Sequence, residues 1–243
     1  MIKDLKLIDF QERNNVKPEA WQKSNILWDD LLEIGIDHEK SISDLMDSAE
    51  FMVKIIQRID HVHSVRWRVK EPEHLLEKIV RKRAKGGEDN QKYEKISKDN
   101  YFDIVTDLIG VRALHLFKND SFKIDKNLRA TWETTEKPIV YMRAGDPDDF
   151  KSKFDQCVFE IKDHPAGYRS IHYVFKTQPL IRQQYAEIQV FELASGRLIL
   201  KIAVKESHGN ASLETTEMKS GIYGYRLLVD GKPIETKKMV VVK

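Results

Sequence analysis

Cysteine occurs once in the 243 residues, at Cys157, so the chain can build neither an intramolecular disulfide framework nor a cysteine zinc cluster. Long apolar runs are also missing. No stretch approaches the roughly 20 residues a membrane-spanning helix needs, and Asp4 and Asp9 interrupt the N-terminus before a signal-peptide core develops. Nor is there an excess of one charge. Lysine and arginine number 41 against 39 aspartates and glutamates, a net charge of +2. Bulk charge therefore gives no sign of a protein that coats nucleic acid or a membrane surface, and a basic site must come from local clustering. What is present is a 41% hydrophobic fraction, enough for a packed core in one good-sized domain with a small appendage. The expectation is a soluble, cytoplasmic protein without membrane contact.

The chain divides into three zones, 1–64, 65–191 and 192–243, with no internal repeat. In the first, an N-terminal helical segment expected to pack on the core, Pro18 begins a stretch with Trp21, Ile26, Leu27, Leu31 and Leu32 at helical spacing, and Gly35 is predicted to end it. Ser43 is predicted to cap a second helix with a packing stripe of Leu45, Met46, Ala49, Met52, Val53, Ile56 and Ile59. The second zone predicts a strand at 64–69, helices at 72–85 and 101–108, and strands at 111–116, 170–175 and 186–191. Between them, 118–149 is polar, carries Pro138 and Gly145-Asp146-Pro147, and is predicted to be mostly loop. The fold class is α+β, a mixed sheet flanked by helices. The third zone reads as a small all-β appendage. Residues 197–204 alternate in strand fashion, and 222–229 face 232 onward across Asp230-Gly231, a type I′ hairpin signal.

Four constellations in the middle zone carry chemistry. Arg68 and Lys70 alternate along a strand, and Lys78 lies on the next helix, close enough to face the same cleft. Cations of this kind suit triphosphate chemistry, where charge spreads over non-bridging oxygens in the transition state, and a guanidinium can stack on a purine. In Asp107-Leu-Ile-Gly110-Val-Arg112, a carboxylate precedes a strand whose glycine permits close approach, an arrangement able to hold Mg²⁺ beside phosphates. In Gly167-Tyr-Arg-Ser-Ile-His172, Tyr168 and His172 share a face, offering a stacking platform and a phosphate contact. In Glu187-Ile-Gln189, a carboxylate on an apolar strand needs a partner or a metal, which makes Glu187 a candidate second Mg²⁺ ligand or a base. Taken singly, the first three have bland alternatives: a solvated cation face, a helix-end carboxylate, a core tyrosine.

In this order, the four constellations resemble the synthetase domain of the RelA/SpoT family over roughly residues 40–191. The resemblance implies a nucleotidyltransferase-like mixed sheet flanked by helices. It also implies a GTP pyrophosphokinase that uses Mg²⁺ to move pyrophosphate from ATP to the 3′-hydroxyl of GDP or GTP, making the alarmone (p)ppGpp. Carried over to this chain, Arg68 stacks on the adenine, and Lys70 and Lys78 hold the ATP phosphates. Asp107 and Glu187 form the catalytic metal pair, with Glu187 also helping to activate the hydroxyl. Tyr168 stacks on the acceptor base and His172 contacts its phosphate, while Arg169 and Arg112 are further cleft cations. The resemblance implies a homo-oligomer as well.

The chain departs from the family pattern at His74, at His164-Pro165-Ala166 and after Val190, where the text turns to β structure. Residues 220–239 resemble the C-terminal β tails of Bacteroidota cell-surface or phage-tail proteins, which act as sorting or assembly modules. Two alternatives stand beside the alarmone reading. One is pyrophosphorylation of a tRNA 3′ end, with Arg81, Lys82, Arg83 and Lys85 facing the RNA; the other is a non-catalytic, degenerate synthetase with a β attachment tail. Alarmone hydrolysis is not expected, because the first zone lacks a paired His-Asp metal pattern.

Overall fold

The computed structural model describes residues 2–117, 119–143, 146, 148–154, 157–163, 169–177, 182–192, 221–229 and 232–241, the last two ranges as backbone. After a 3₁₀ turn at Ile2–Asp4 come helices α1 (Leu7–Arg13), α2 (Pro18–Ser24) and α3 (Trp28–Ile56), then strand β1 (Ser64–Val69) and helix α4 (Pro72–Lys85). A 3₁₀ segment at Glu88–Lys95 leads to α5 (Tyr101–Ile104), β2 (Ile109–His115), α6 (Asp120–Thr131), β3 (Ile139–Met142) and α7 (Asp148–Lys151). Strands β4 (Glu160–Asp163), β5 (Ser170–Lys176) and β6 (Tyr185–Glu192) follow, and then the paired β7 (Gly221–Val229) and β8 (Lys232–Val241).

Strands β1 to β6 form one sheet in the order β1-β2-β6-β5-β3-β4. It is mixed: β2 runs parallel to β6 and β3 to β4, and the other neighbours are antiparallel. Directly paired residues project to the same side of a sheet. One side therefore carries rows such as Trp67-Val111-Ile188-Tyr173 and Val69-Ile109-Ala186-Phe175. These rows join Phe10, Leu31, Leu45, Ile56, Leu75, Ile79, Ile124 and Leu128 of the helices in one core. The first two sequence zones thus share a single hydrophobic interior. The opposite side carries the polar rows that make the candidate site.

Helix α4 runs over the predicted 72–85, with Pro72 in its first turn, where a missing N–H costs nothing, and Gly86 at a positive φ of 62° after its last. Three expectations are corrected. The two helices predicted on either side of Gly35 divide elsewhere: the stretch from Pro18 breaks after Ser24, and one helix, α3, runs through Gly35 from Trp28 to Ile56. A Cβ added at Gly35 would sit 2.9 Å from Ile2 Cγ2 and 3.1 Å from Leu76 Cδ1, so this glycine makes room for packing instead of ending the helix. The helix predicted at 101–108 stops at Ile104 and leaves Asp107 in the turn before β2. The region predicted as loop, 118–149, contains α6 and β3. Helix α6 escapes a periodicity search because its inner face includes Asp125. That buried carboxylate is satisfied by Arg129 at 2.9 and 2.6 Å and by the Tyr173 hydroxyl at 2.7 Å. The hairpin expected across 222–232 is present as β7 and β8; its Asp230-Gly231 turn and the strand expected at 197–204 lie outside the described residues.

Two long-range knots hold the helical layer. The Arg83 guanidinium donates to four backbone carbonyls: Ser24 at 2.7 Å, Asn25 at 2.7 Å, Tyr93 at 3.0 Å and Glu94 at 2.5 Å. It thereby joins the C-terminus of α2 to the 3₁₀ segment. Asp37 of α3 receives Arg182 Nη1 and Nη2 at 2.6 and 3.0 Å and the Tyr101 hydroxyl at 2.9 Å. Burial alone would raise the Asp37 carboxyl, but the bonds from Arg182 and Tyr101 outweigh it and hold the group below its ordinary value.

Arg83→Met is expected to lower unfolding free energy by about 2–4 kcal/mol in urea titration, with Arg83→Lys recovering less than about half, since an ammonium cannot reach four carbonyls. For Asp37, whose folded pKa is depressed, the contribution is present above the unfolded value and lost as pH falls through the folded one. The stability gap between wild type and Asp37→Asn should therefore be widest near neutrality and close below about pH 4; a gap that does not change with pH would contradict this.

Candidate functional site

The register of β1, β2 and β6 builds the site. Arg68 pairs with Gly110 and Gly110 with Glu187, so this row sets a guanidinium and a carboxylate on either side of a residue without a side chain. A Cβ at Gly110 would lie 3.7 Å from Arg68 Cγ and 3.8 Å from its Nε, in ordinary contact. Gly110 thus opens a shallow floor that the Arg68 stem crosses. The next row holds Arg66, Arg112, Gln189 and His172. An open sheet face lined by three arginines, a carboxylate, an amide and an imidazole is suited to a polyanionic ligand.

Beside the first row lies Asp107, in the turn leading into β2. Lys70, one residue past β1, approaches its Oδ2 at 3.1 Å, and Lys78, on the second turn of α4, approaches its Oδ1 at 2.6 Å. Burial would raise the Asp107 carboxyl, but Lys78 and Lys70 together overcome this and hold it below its ordinary value. Lys78 shifts downward. Burial disfavours its ammonium more than Asp107 restores it, and Lys70 adds repulsion. The triplet carries one net positive charge that is largely withdrawn from water.

Glu187 is gripped through a single oxygen. Its Oε1 accepts from His172 Nδ1 at 3.1 Å and from Gln189 Nε2 at 2.9 Å. The Gln189 amide is oriented in turn, because its Oε1 accepts from Arg112 Nε at 3.2 Å and Nη2 at 3.0 Å. Burial would raise Glu187, and Asp107 repels it; the bonds from His172 and Gln189 nevertheless keep it below its ordinary value. The other ring nitrogen of His172, Nε2, is buried and has no partner among the described residues. The ring itself stands edge-on to Tyr141 at a centroid distance of 4.8 Å.

Among the described residues, no group of three or more His, Cys, Asp or Glu side chains is arranged to hold a metal. The donor set on offer is the carboxylate pair Asp107 and Glu187, close enough to repel each other. Two hard oxygen donors fit Mg²⁺, which commonly takes one or two protein carboxylates and completes its shell with water and substrate phosphates.

The structure thus brings together Arg68, Lys70, Lys78, Asp107, Glu187 and His172. Tyr168 lies outside the described residues. Arg169, expected as an acceptor-binding cation, is otherwise engaged. Its Nε and Nη2 donate to Asp146 at 2.8 and 2.5 Å, and its Nη1 donates to Glu192 at 2.7 Å, so it fastens the end of β6 to the turn after β3. The basic run that could face RNA is partly consumed in the same way, Arg81 by Glu77 at 2.8 Å and Arg83 by its four carbonyls. The arginine–amide brace behind Glu187 was not foreseen; the alternation of Arg112 and Gln189 with their neighbours held the only available signal. No helix among the described residues is long and apolar enough to cross a membrane.

Comparison with solved structures finds a GTP pyrophosphokinase family protein from Streptococcus pneumoniae at 16% identity and a TM-score of 0.43, covering 64% of this chain and 69% of that one. The small alarmone synthetase 1 of Bacillus subtilis, bound to its product pppGpp, aligns at 17% identity and a TM-score of 0.34, covering 66% and 72%. Small alarmone synthetase 2 of the same organism aligns at 17% and 0.35, covering 65% and 70%. Comparison with curated proteins gives no match. The sequence model of the region found in RelA / SpoT proteins matches residues 67–198, from the middle of β1 to just past β6. That is more than half of the chain and takes in Arg68, Lys70, Lys78, Asp107, His172 and Glu187: this protein belongs to the RelA/SpoT family.

Proposed function

We propose that the protein is a (p)ppGpp synthetase, transferring pyrophosphate from ATP to the 3′-hydroxyl of GDP or GTP with Mg²⁺. The observation that carries this reading is the convergence of Lys70 and Lys78 on Asp107 beside the Arg68-Gly110-Glu187 row, in a chain of this family. Arg68 covers the adenine with its flat guanidinium, and Lys70 and Lys78 take the ATP phosphates. Asp107 and Glu187 are the residues that would hold Mg²⁺, which when bound neutralises charge on the transferring phosphates. His172, held beside Glu187 through its Nδ1, contacts a phosphate of the acceptor nucleotide, and Tyr168 gives the acceptor base a stacking surface.

Glu187 accepts the proton of the 3′-hydroxyl. The freed oxygen bonds to the β-phosphorus of ATP, the bridge from that phosphorus to the α-phosphate breaks, and AMP departs with the bridging oxygen and the electron pair. Glu187 then returns its proton to solvent. The brace from Arg112 through Gln189, together with His172, holds Oε1 and keeps the carboxylate aimed during this transfer.

Purified protein given γ-³²P-ATP, Mg²⁺ and GDP or GTP is expected to yield labelled guanosine tetra- or pentaphosphate on thin-layer chromatography. Asp107→Asn and Glu187→Gln should each lower the rate by about 100-fold or more, and EDTA should abolish it. Label appearing on bulk tRNA alone would contradict the acceptor assignment, and no transfer to any acceptor by folded protein would contradict the activity.

A further inference from the structure

His38 is fully buried in the middle of α3, and its Nε2 lies 2.7 Å from the carbonyl oxygen of Lys70. A carbonyl only accepts, so Nε2 carries the hydrogen. The opposite nitrogen, Nδ1, is buried without a partner among the described residues, which leaves a second proton no acceptor and makes the ring a neutral, one-sided donor. Its edge-on contact with Tyr101, at 5.9 Å between centroids, fixes its plane. A histidine in this setting would ordinarily count as a satisfied core residue. The carbonyl it holds sets it apart.

Lys70 follows directly on β1, which Val69 closes; Glu71 stands at the N-cap position of α4 without a side-chain capping bond, and Pro72 begins the helix. The Lys70 N–H donates to the Leu108 carbonyl at 2.8 Å, next to Asp107, and its own carbonyl meets His38. The Lys70 backbone is thereby held from both sides, by the turn that carries Asp107 and by α3. The cations of the proposed ATP site straddle this junction, with Arg68 on the strand, Lys70 at the bend and Lys78 on the helix. Without the His38 bond, the carbonyl of the half-buried Lys70 loses the side-chain partner that ties it to α3, and the bend is free to open. The Lys70 and Lys78 ammoniums would then lose their common focus on Asp107.

We infer that His38 is a positioning residue for the nucleotide phosphates, holding the β1–α4 junction through the Lys70 carbonyl so that Lys70 and Lys78 converge on one point. This rests on the proposed ATP site and names a residue outside the sheet on which that site depends. His38 touches no substrate and acts only through Lys70.

The test compares His38→Phe, which removes the donor, with His38→Gln, whose amide reaches the place of Nε2, and His38→Asn, whose amide reaches only the place of Nδ1. ATP with Mg²⁺ and no acceptor is titrated calorimetrically into each, and kcat and KM are measured for both substrates. His38→Phe and His38→Asn should weaken ATP binding by about 5- to 20-fold and raise the KM for ATP in step, with acceptor KM nearly unchanged; His38→Gln should recover most of the loss. In a Lys70→Met background, His38→Phe should cost less than about 2-fold more. If the wild type binds ATP and both His38→Phe and His38→Asn bind it as tightly, His38 is a core residue only and the inference falls. It falls equally if the loss persists undiminished without Lys70, or if His38→Gln is as weak as His38→Phe. A wild type that binds ATP but transfers nothing overturns the pyrophosphokinase reading, while the His38 inference is still decided by the affinities. A wild type that does not bind ATP overturns both.

Discussion

Asp107 sits where three parts of the chain must meet, and its two carboxylate oxygens are divided between Lys70 at the end of β1 and Lys78 on α4. Neither lysine would be tolerated so far from water without it. Burial already pulls Lys78 down, and Asp107 is the main group pulling it back. The carboxylate in turn depends on both lysines to remain ionised against its own burial. A strand end, a helix and a turn are thus locked by charge at one point, and the rest of the candidate site is arranged from there. In the proposed reading such a triplet suits a triphosphate, because phosphate oxygens and a divalent cation would offer the lysines and the carboxylate each a new partner of the right sign.

The sheet supplies the rest through its register. Because β2 lies parallel to β6 with Gly110 opposite Glu187, the carboxylate stands two strands away from the Arg68 side chain with only the bare Gly110 between them. The same face bears Arg66 and Arg112 a row further on, while the opposite face is packed into the helical core. A sheet that leaves charged rows on one side needs a ligand or solvent there. Glu187 shows how carefully that face is ordered: two donors share one of its oxygens, and the nearer amide is itself fixed by Arg112.

Much of this could be read from the chain, and what could not has a physical reason. Pro72 and Gly86 mark α4 because each has a backbone preference that acts within a few residues. Strand β6 announces itself by alternation. Arg68, Lys70, Lys78, Asp107, His172 and Glu187 stand out in the sequence as residue types in order, and the structure adds that these six lie together. Helix α6 was hidden because its buried Asp125 breaks the apolar stripe and its partner Tyr173 is 48 residues away. Gly35 looked like a stop because steric fit to Ile2 and Leu76 is a tertiary fact. Arg83 and His38 could not be recognised at all. Their partners are backbone carbonyls, which have no letter in a sequence. Arg169 misled for the opposite reason: a cation next to a motif tyrosine looks like a ligand contact until Asp146 and Glu192 are seen to hold it.

A crystal structure of the protein with Mg²⁺ and an ATP analogue that cannot transfer its pyrophosphate would test the central claim most directly. The account predicts the triphosphate between Lys70 and Lys78, the base under Arg68, and a metal ion held by Asp107 and Glu187 with the lysine–carboxylate contacts exchanged for phosphate. A nucleotide bound elsewhere, with Asp107 still clasped by both lysines and Glu187 turned from the metal, would contradict it.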